Sequence, residues 1–153
     1  IKCSIQQEDL TILNIYTPNT GAPRSIKQVL PDLRKHLHRH YYTIVVGEFN
    51  TTLTALDRSL KQELTNSGLK LILEQLNLIN IYRILHLTTI EYTLFSGAHV
   101  TYSKINHMLS LKASFSKFKK KIEIIPNTLS DHGAIKTEID KEDLSKITQK
   151  HRN

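Results

Sequence analysis

The sequence predicts one α/β or α+β domain of the sandwich type. Short runs of β-branched and apolar residues are bounded by turn residues, as strands usually are. Only two clear stretches repeat apolar residues at helical spacing. A chain of 153 residues, 39% of them hydrophobic, is long enough to bury one core. Many strands with few helices therefore favour sheets and helices packed in layers.

Strand and helix patterns alternate in the first half. Strands are expected over residues 11–16, 43–49 and 78–82, where β-branched and apolar residues cluster. Helices are expected over residues 26–37 and 69–76, where apolar residues recur three and four positions apart.

Two residues bear on the ends of the first helix. Ser25 precedes the apolar repeat and is placed to cap it. Pro31 lies inside the repeat, where a proline costs about 3 kcal/mol and kinks or breaks a helix. The sequence therefore predicts an interrupted helix before the second strand.

The second half favours hairpins. Strands are expected over residues 90–95, 100–102, 104–109, 121–125 and 134–139, with a turn at Ser96-Gly97. Residues 1–140 are expected to form the domain. Residues 141–153 are expected to be a charged tail, because they are mixed in charge and end the chain.

The charge balance indicates a class of partner. Lysine and arginine number 21 against 14 aspartate and glutamate, a net charge of +7. This attracts polyanions such as nucleic acid, with a merely solvated basic surface as the alternative. No apolar run approaches 18 residues, so no membrane contact is expected. Cys3 is the single cysteine and no signal segment precedes it, which favours an intracellular setting, nuclear if the protein is functional.

Two motifs place polar residues where strands end. Glu48 and Asn50 lie two residues apart, so on a strand they point to one face and can bind a hard cation and orient a water. Asp131 and His132 put a carboxylate beside an imidazole, which suits activation of a water and donation to a phosphate oxygen. Turn formation is the simpler alternative for each motif.

The order of motifs along the chain is more specific than either motif alone. In order, the chain carries Ile15-Tyr16-Thr17-Pro18, Gly47-Glu48-Phe49-Asn50, Tyr92-Thr93, Tyr102-Ser103-Lys104-Ile105-Asn106-His107 and Ser130-Asp131-His132. This order resembles the endonuclease/exonuclease/phosphatase superfamily. It is most similar to the apurinic-type endonuclease domain of LINE-type mammalian retrotransposon polyproteins, over residues 5–138.

The resemblance implies a four-layer α-β-β-α sandwich and an enzyme that hydrolyses a DNA phosphodiester with Mg²⁺. This chain matches the C-terminal portion of that fold and is incomplete at the N-terminus, where the superfamily carries an Asn and a metal-binding Glu. A first residue Ile1 and a single methionine, Met108, agree with a piece of a longer polyprotein. The missing part is expected to leave an apolar sheet face uncovered, which favours self-association.

The resemblance also implies residue roles. The catalytic positions are Tyr16, Glu48, Asn50, Asn106, Asp131 and His132. Tyr16 would lie near the scissile phosphate, with a core aromatic as the alternative. Asp131 is the expected metal ligand of this chain, and His132 matches the catalytic histidine.

Two of these positions depart from the superfamily pattern. Glu48 stands where the pattern has Asp, and a shift on the order of 1 Å can cost about 100-fold in a positioned site. Asn106 stands where an Asp pairs with the catalytic histidine, and an amide cannot balance the charge of a histidinium. The resemblance therefore implies an impaired enzyme.

DNA contacts are implied at Arg58, Thr93, Tyr102, Ser103, Lys104 and Ser130. Thr93 and the loop 96–104 correspond to a hairpin that helps to choose the cut site, with a solvent-exposed turn as the alternative. The lysines of residues 112–121 either contact phosphates or form a solvated basic surface. Three hypotheses follow, namely an endonuclease relic, a working Mg²⁺-dependent nuclease completed by residues outside this chain, and a non-catalytic nucleic-acid-binding module.

Overall fold

The computed structural model describes residues 1–5, 8–39, 42–59, 67–98, 100–118, 121–126 and 129–138. The strands are β1 (Lys2–Ile5), β2 (Glu8–Tyr16), β3 (Tyr42–Glu48), β4 (Leu78–Asn80), β5 (Leu94–Ser96), β6 (Thr101–Ser103), β7 (Asn106–Leu111), β8 (Lys121–Ile125) and β9 (Ala134–Glu138). The helices are α1 (Ala22–Asp32), α2 (Arg34–Arg39), α3 (Ser67–Gln75) and α4 (Ile81–Leu85), with 3₁₀ turns at Ala55–Asp57 and Lys112–Phe118. The predicted tail, residues 141–153, lies outside the described residues.

A five-stranded mixed sheet forms the centre of the fold. Its strand order is β1-β2-β3-β7-β4, and β2 and β3 are its parallel pair. Parallel neighbours need a crossover connection, which α1 and α2 provide. The pairs β5–β6 and β8–β9 form separate two-stranded antiparallel sheets.

Each face of the central sheet has its own apolar core, because alternate side chains of a strand point to opposite faces. One core joins the sheet to α1 and α3, through Ile15, Val45 and Leu109 on the strands and Ile26, Leu30 and Leu69 on the helices. The other joins the sheet to α4 and the β8–β9 pair, through Leu10, Ile44 and Met108 on the strands and Ile81, Tyr82 and Ile122 opposite them. The predicted layered α/β class is confirmed.

The expectation of an uncovered apolar sheet face is wrong for the described residues. Leu10, Ile44 and Met108 on the second face are all buried, because α4 and the β8–β9 pair cover them. The same face is open only near its polar end, where Tyr16 is 71% exposed. Among the described residues, no helix combines the length and the apolar content that crossing a membrane requires.

The first helix is interrupted as Pro31 predicts. Helix α1 ends at Asp32, one residue beyond Pro31, and α2 begins at Arg34. The predicted cap at Ser25 is wrong, because α1 already begins at Ala22 after the left-handed residue Gly21. Proline is favoured in a first helical turn, and Pro23 in that turn allows the early start.

The segment 78–82 was predicted as one strand and is split between two elements. Strand β4 ends at Asn80, and Ile81 and Tyr82 belong to α4. The Asn80 side chain accepts a hydrogen bond from the backbone N–H of Arg83 at 3.3 Å, so it caps the helix. This local bond outweighs the preference of Ile and Tyr for strands.

Candidate active site

One transverse row of the central sheet carries three of the predicted catalytic residues. In the strand register, Tyr16 on β2 pairs with Glu48 on β3, and Glu48 pairs with Asn106 on β7. Paired residues on neighbouring strands present their side chains to the same face. Tyr16 is therefore a rim residue at the open end of that face, and its 71% exposure excludes the core-aromatic alternative.

Gly47 allows β2 and β3 to approach closely just before Glu48. A Cβ at this position would lie 1.9 Å from the carbonyl oxygen of Ile15 and 2.9 Å from Oδ1 of Asn14. The φ angle of Gly47 is +142°, a conformation that other residues rarely adopt. Only glycine fits, and the backbone of Glu48 is held directly beside Tyr16.

The loop after β2 positions Asn50. The Asn50 Nδ2 donates to the backbone oxygen of Thr17 at 2.5 Å, and the Thr17 hydroxyl donates to the oxygen of Phe49 at 2.5 Å. Asn50 has a φ of 49°, a left-handed conformation that asparagine tolerates better than most residues. The bond from Nδ2 to Thr17 fixes the amide and leaves its side-chain oxygen as an acceptor for a ligand.

The second wall of the site is the segment Ser130–His132. Backbone hydrogen bonds join it to the β5 region, from Phe95 N to Asp131 O at 3.1 Å and from Gly133 N to Thr93 O at 2.7 Å. The Ser130 hydroxyl accepts from the N–H of His132 at 3.1 Å, which fixes a tight turn. Both the predicted turn and the predicted carboxylate–imidazole pair are therefore present.

The imidazole of His132 is accessible. Its Nε2 lies 3.8 Å from Oδ1 of Asp131, and its side chain is 39% exposed. It can exchange a proton with a bound group without first leaving a core.

A cavity of about 330 Å³ brings the two walls together. It is lined by Glu48 and Asn50 from one wall, Asp131 and His132 from the other, residues 94–98 of the β5–β6 hairpin, and Asn19 and Ile105. A volume near 300 Å³ suits a small polar group rather than a large cofactor. We call this cavity the cleft.

The oxygen donors of the cleft fit Mg²⁺. Glu48 and Asp131 offer carboxylates and Asn50 offers an amide oxygen, and Mg²⁺ is usually held by one or two carboxylates together with waters and substrate phosphates. The described residues hold no cluster of three or more His, Cys, Asp or Glu side chains that could bind a metal.

Asn106 lies beside the cleft, and its side-chain oxygen lacks a hydrogen bond. Its Oδ1 is buried and has no hydrogen-bond partner in the described part of the chain. Its backbone N–H donates to the Thr93 hydroxyl at 3.2 Å. The carboxylate within 4 Å of the His132 ring is that of Asp131. A buried acceptor without a donor costs about 1–3 kcal/mol.

Burial contradicts the predicted DNA contacts of Thr93 and Lys104. Thr93 is 2% exposed, and its hydroxyl accepts from the N–H groups of Ile105 and Asn106 at 3.0 and 3.2 Å. Lys104 is fully buried, with Nζ 3.1 Å from the centre of the Tyr82 ring. Both residues hold the hairpin against the core instead of facing a polyanion.

The other predicted DNA contacts lie at the surface or close to it. Arg58 is exposed, and its backbone forms an isolated bridge with Ser103, which is half-buried. Tyr102 is 47% exposed, and Ser130 is exposed beside the cleft. Contact with DNA at these four positions stays a prediction.

A buried charged cluster under the hairpin was missed by the sequence analysis. Asp57 is fully buried, and its Oδ1 accepts from Arg83 Nη2 at 2.8 Å. Its Oδ2 accepts from the N–H groups of Leu53 and Thr54 at 3.1 and 2.7 Å. Burial opposes the charged form of Asp57, but His107, Arg83 and the Thr54 amide together hold its pKa below the usual range. The one sequence feature that pointed to this cluster is that residues 56–59 lie in the part of the chain that resembles the superfamily.

His107 completes this cluster. Its Nε2 lies 2.9 Å from the oxygen of Thr51 and its Nδ1 lies 3.4 Å from Nδ2 of Asn80. These partners fit a neutral ring that donates from Nε2 and accepts at Nδ1. Burial lowers the pKa of His107 to about 4, so the ring is structural.

Comparison with solved structures identifies the fold. No family model matches the sequence. A 3′ phosphatase from Neisseria, NExo, solved with a product DNA hairpin, matches with a TM-score of 0.72 at 17% identity, over 91% of this chain and 63% of its own. An AP endonuclease from Archaeoglobus fulgidus matches at 0.71 and 15% identity, over 91% and 64%.

A third structure is the endonuclease domain of TRAS1, a telomere-specific non-LTR retrotransposon. It matches with a TM-score of 0.69 at 13% identity, over 90% of this chain and 61% of its own. The chain therefore has the endonuclease/exonuclease/phosphatase fold that these proteins share. It spans less than two thirds of the length of each of the three.

Proposed function

We propose that the cleft is the catalytic site of a Mg²⁺-dependent DNA nuclease of retrotransposon descent, and that it works slowly. The observation that carries the proposal is the convergence of Glu48, Asn50, Asp131 and His132, which come from distant parts of the chain, on one cavity. The shared fold supports it, since one similar structure holds a product DNA hairpin and another is a retrotransposon endonuclease domain. The net charge of +7 favours a polyanionic substrate.

Each of these four side chains has a role in phosphodiester hydrolysis. Asp131 accepts a proton from the attacking water, as a carboxylate at the surface can. His132 donates a hydrogen bond to a non-bridging oxygen, where negative charge develops. Asn50 accepts a hydrogen bond from the attacking water at its side-chain oxygen and so orients that water toward the phosphate. A Mg²⁺ held by Glu48 and Asp131 would neutralise phosphate charge and polarise the reacting bond.

Two features support a reduced rate. Glu48 is one methylene longer than the Asp of the superfamily pattern, and a positioned site tolerates little displacement. Asn106 has an unsatisfied buried oxygen where the pattern has an ionised carboxylate. A neutral amide there removes the charge that would stabilise a protonated catalytic histidine.

A plasmid-nicking assay tests the proposal. We expect slow Mg²⁺-dependent nicking that falls by about 100-fold or more in His132→Ala, since removing one hydrogen-bond donor to a developing oxyanion costs about 10²–10³-fold. His36→Ala, at an exposed histidine of α2, is the matched control and should nick like the parent chain. The double variant Glu48→Asp, Asn106→Asp should nick faster. Equal nicking by His132→Ala and the parent would refute the assigned site.

A non-catalytic nucleic-acid-binding module is the second candidate. The unsatisfied Asn106 oxygen and the net charge of +7 favour it. It predicts binding to duplex DNA that weakens steeply with salt, because phosphate contacts release counterions. In the same assay it predicts no nicking by the parent chain or by the repaired double variant.

A further inference from the structure

The outer edge of β9 is an open strand edge. On one side β9 pairs with β8, from Lys121 opposite Glu138 to Ile125 opposite Ala134. On its other side, no strand among the described residues pairs with Ala134–Glu138. An edge of this kind presents unpaired N–H and C=O groups to any strand that can approach it.

The segment before β9 shows which backbone groups point to this edge. Backbone hydrogen bonds join Asp131 and Gly133 to the segment 93–95, at 3.1 and 2.7 Å. Alternate residues of a strand turn their N–H and C=O groups to opposite edges. The backbone groups of Ile135 and Thr137 therefore point to the same edge as those of Gly133. None of the described residues forms a backbone hydrogen bond with them there.

The contacts of β8 agree with this orientation. Ile122 on β8 is paired with Thr137 on β9. Nε2 of His86, at the end of α4, lies 2.9 Å from the backbone oxygen of Ile122. That oxygen therefore turns toward α4 and away from β9. In an antiparallel pair whose groups turn outward on one strand, they also turn outward on the other, so Thr137 offers its N–H and C=O to the open edge.

The solvent-facing side of β9 carries one charge of each sign. Lys136 and Glu138 are half exposed, and their side chains form an ion pair at 3.0 Å along the strand. Ile135, between them and the turn, packs on the second core instead. A strand with the opposite order of charges would match this edge. The same strand run in the antiparallel direction has that order.

We propose that β9 pairs with β9 of a second copy of this chain, antiparallel and centred on Thr137. The two strands then exchange the N–H···O bonds of Thr137, and Lys136 of each copy lies opposite Glu138 of the other. Opposite charges that face each other across a strand pair stabilise it, and like charges destabilise it. The product is a four-stranded sheet with the two-fold symmetry that is commonest in homo-oligomers.

The two neighbouring registers are less favourable. A register centred on Lys136 places two lysines opposite each other at the closest spacing of an antiparallel pair. A register centred on Ile135 requires Gly133 to bond to the second copy, but the N–H of Gly133 already donates to Thr93. The proposed pairing uses a strand edge, whereas the sheet face that was expected to be uncovered is filled by α4 and the β8–β9 pair.

Charge reversal tests the pairing, with sedimentation velocity over a range of protein concentrations as the measurement. The parent chain should form dimers as its concentration rises. Lys136→Glu and Glu138→Lys each place like charges opposite one another and should weaken the dimer about tenfold. An equal mixture of the two variants should regain dimers, because the acidic edge of one chain faces the basic edge of the other. Lys70→Glu, on the exposed side of α3, is the control and should dimerise like the parent.

Cysteine cross-linking tests the register. The variant Thr137→Cys, with Cys3→Ser to remove the native thiol, should form a disulfide-linked dimer on mild oxidation. Residues in a bonded antiparallel pair have Cα atoms about 5.5 Å apart, which a disulfide can bridge. Lys136→Cys in the same background should cross-link far less, because the two residues then lie diagonally, about 7–8 Å apart.

Thr137→Pro removes the outward N–H and should abolish the dimer with unchanged circular dichroism, since an edge strand tolerates proline where its N–H faces solvent. If this variant unfolds, the charge-reversal pair decides. A parent chain that stays monomeric at every concentration overturns the proposal. Dimers of parent strength in both charge variants also overturn it, since another surface then joins the copies. None of these measurements depends on nuclease activity.

Discussion

The exposed pair consists of Asp131 and His132, and the buried cluster consists of Asp57, Arg83 and His107. Both contain a carboxylate and an imidazole, in opposite surroundings. In the buried cluster the carboxylate accepts hydrogen bonds at both oxygens and the imidazole uses both nitrogens. In the exposed pair the nearest ion-pair distance is 3.8 Å and both side chains reach solvent. Groups that are already bonded can hold a fold, and groups with vacant bonding positions can act on a ligand.

The β5–β6 hairpin separates the buried cluster from the exposed pair. The buried cluster lies under the hairpin, since Asp57 accepts at its backbone oxygen from the N–H of Lys104 at 2.8 Å. The exposed pair borders the other side of the hairpin, through the bond from Phe95 to Asp131. Substitutions in the first cluster should therefore change stability, and substitutions in the second should change activity.

The largest effect on stability is expected from Asp57→Ala. Removing the carboxylate leaves the Arg83 guanidinium buried without its partner, which costs about 3–5 kcal/mol. Urea unfolding followed by circular dichroism measures the loss. Asp131→Ala, the matched change in the exposed pair, should alter the free energy of unfolding by less than about 0.5 kcal/mol. A similar loss in both variants would erase the distinction between the clusters.

A pH dependence of stability is expected from His107. Its pKa is about 4 in the folded chain and about 6.5 when unfolded, so the unfolded state binds a proton first as the pH falls. The free energy of unfolding should drop between pH 6.5 and pH 4, by on the order of 3 kcal/mol, and then level off for this group. In His107→Gln the drop over this range should shrink, whereas His36→Gln should retain it. An unchanged drop in His107→Gln would show that other groups cause it.

Among the buried charged residues, the smallest effect is expected from Lys104→Met. Burial lowers the pKa of Lys104 to about 7, and its Nζ has no hydrogen-bond partner in the described residues. Replacing this buried amine by an apolar chain should change the free energy of unfolding by less than about 1 kcal/mol. That figure includes the loss of the cation–π contact with the Tyr82 ring. The salt dependence of DNA binding should also stay unchanged. A salt slope reduced by about one would restore Lys104 as a phosphate contact.

Periodicity and motif order predicted much of the fold. The strands around Leu13, Val45 and Ile122 and the break at Pro31 follow from local patterns, since each is a short-range property of the chain. The resemblance picked out Glu48, Asn50, Asp131 and His132, and these residues line one cavity although no local rule joins them. Their catalytic role stays a prediction. Asn106 shares a row of paired strand residues with Glu48, but the lack of a partner for its side-chain oxygen depends on the three-dimensional surroundings.

The sequence did not predict which polar residues are buried. Thr93 and Lys104 lie in a polar stretch that reads as a surface hairpin, yet both are buried because segments distant in sequence close over them. Asp57 reads as an ordinary loop residue, and only its distance to Arg83 shows a buried ion pair. The split of residues 78–82 depended on one capping bond from Asn80.

The close approach of β2 and β3 at Gly47 limits which substitutions this fold tolerates. A first side-chain carbon at Gly47 would overlap the Ile15 carbonyl, so the register of β2 and β3 leaves no room for any other amino acid. An exchange between Asp and Asn at residue 106, by contrast, alters one charge and leaves the strand in place. Residue 106 can therefore vary while the groove beside it keeps its shape. A side chain at Gly47 would force β2 and β3 apart and destroy that shape.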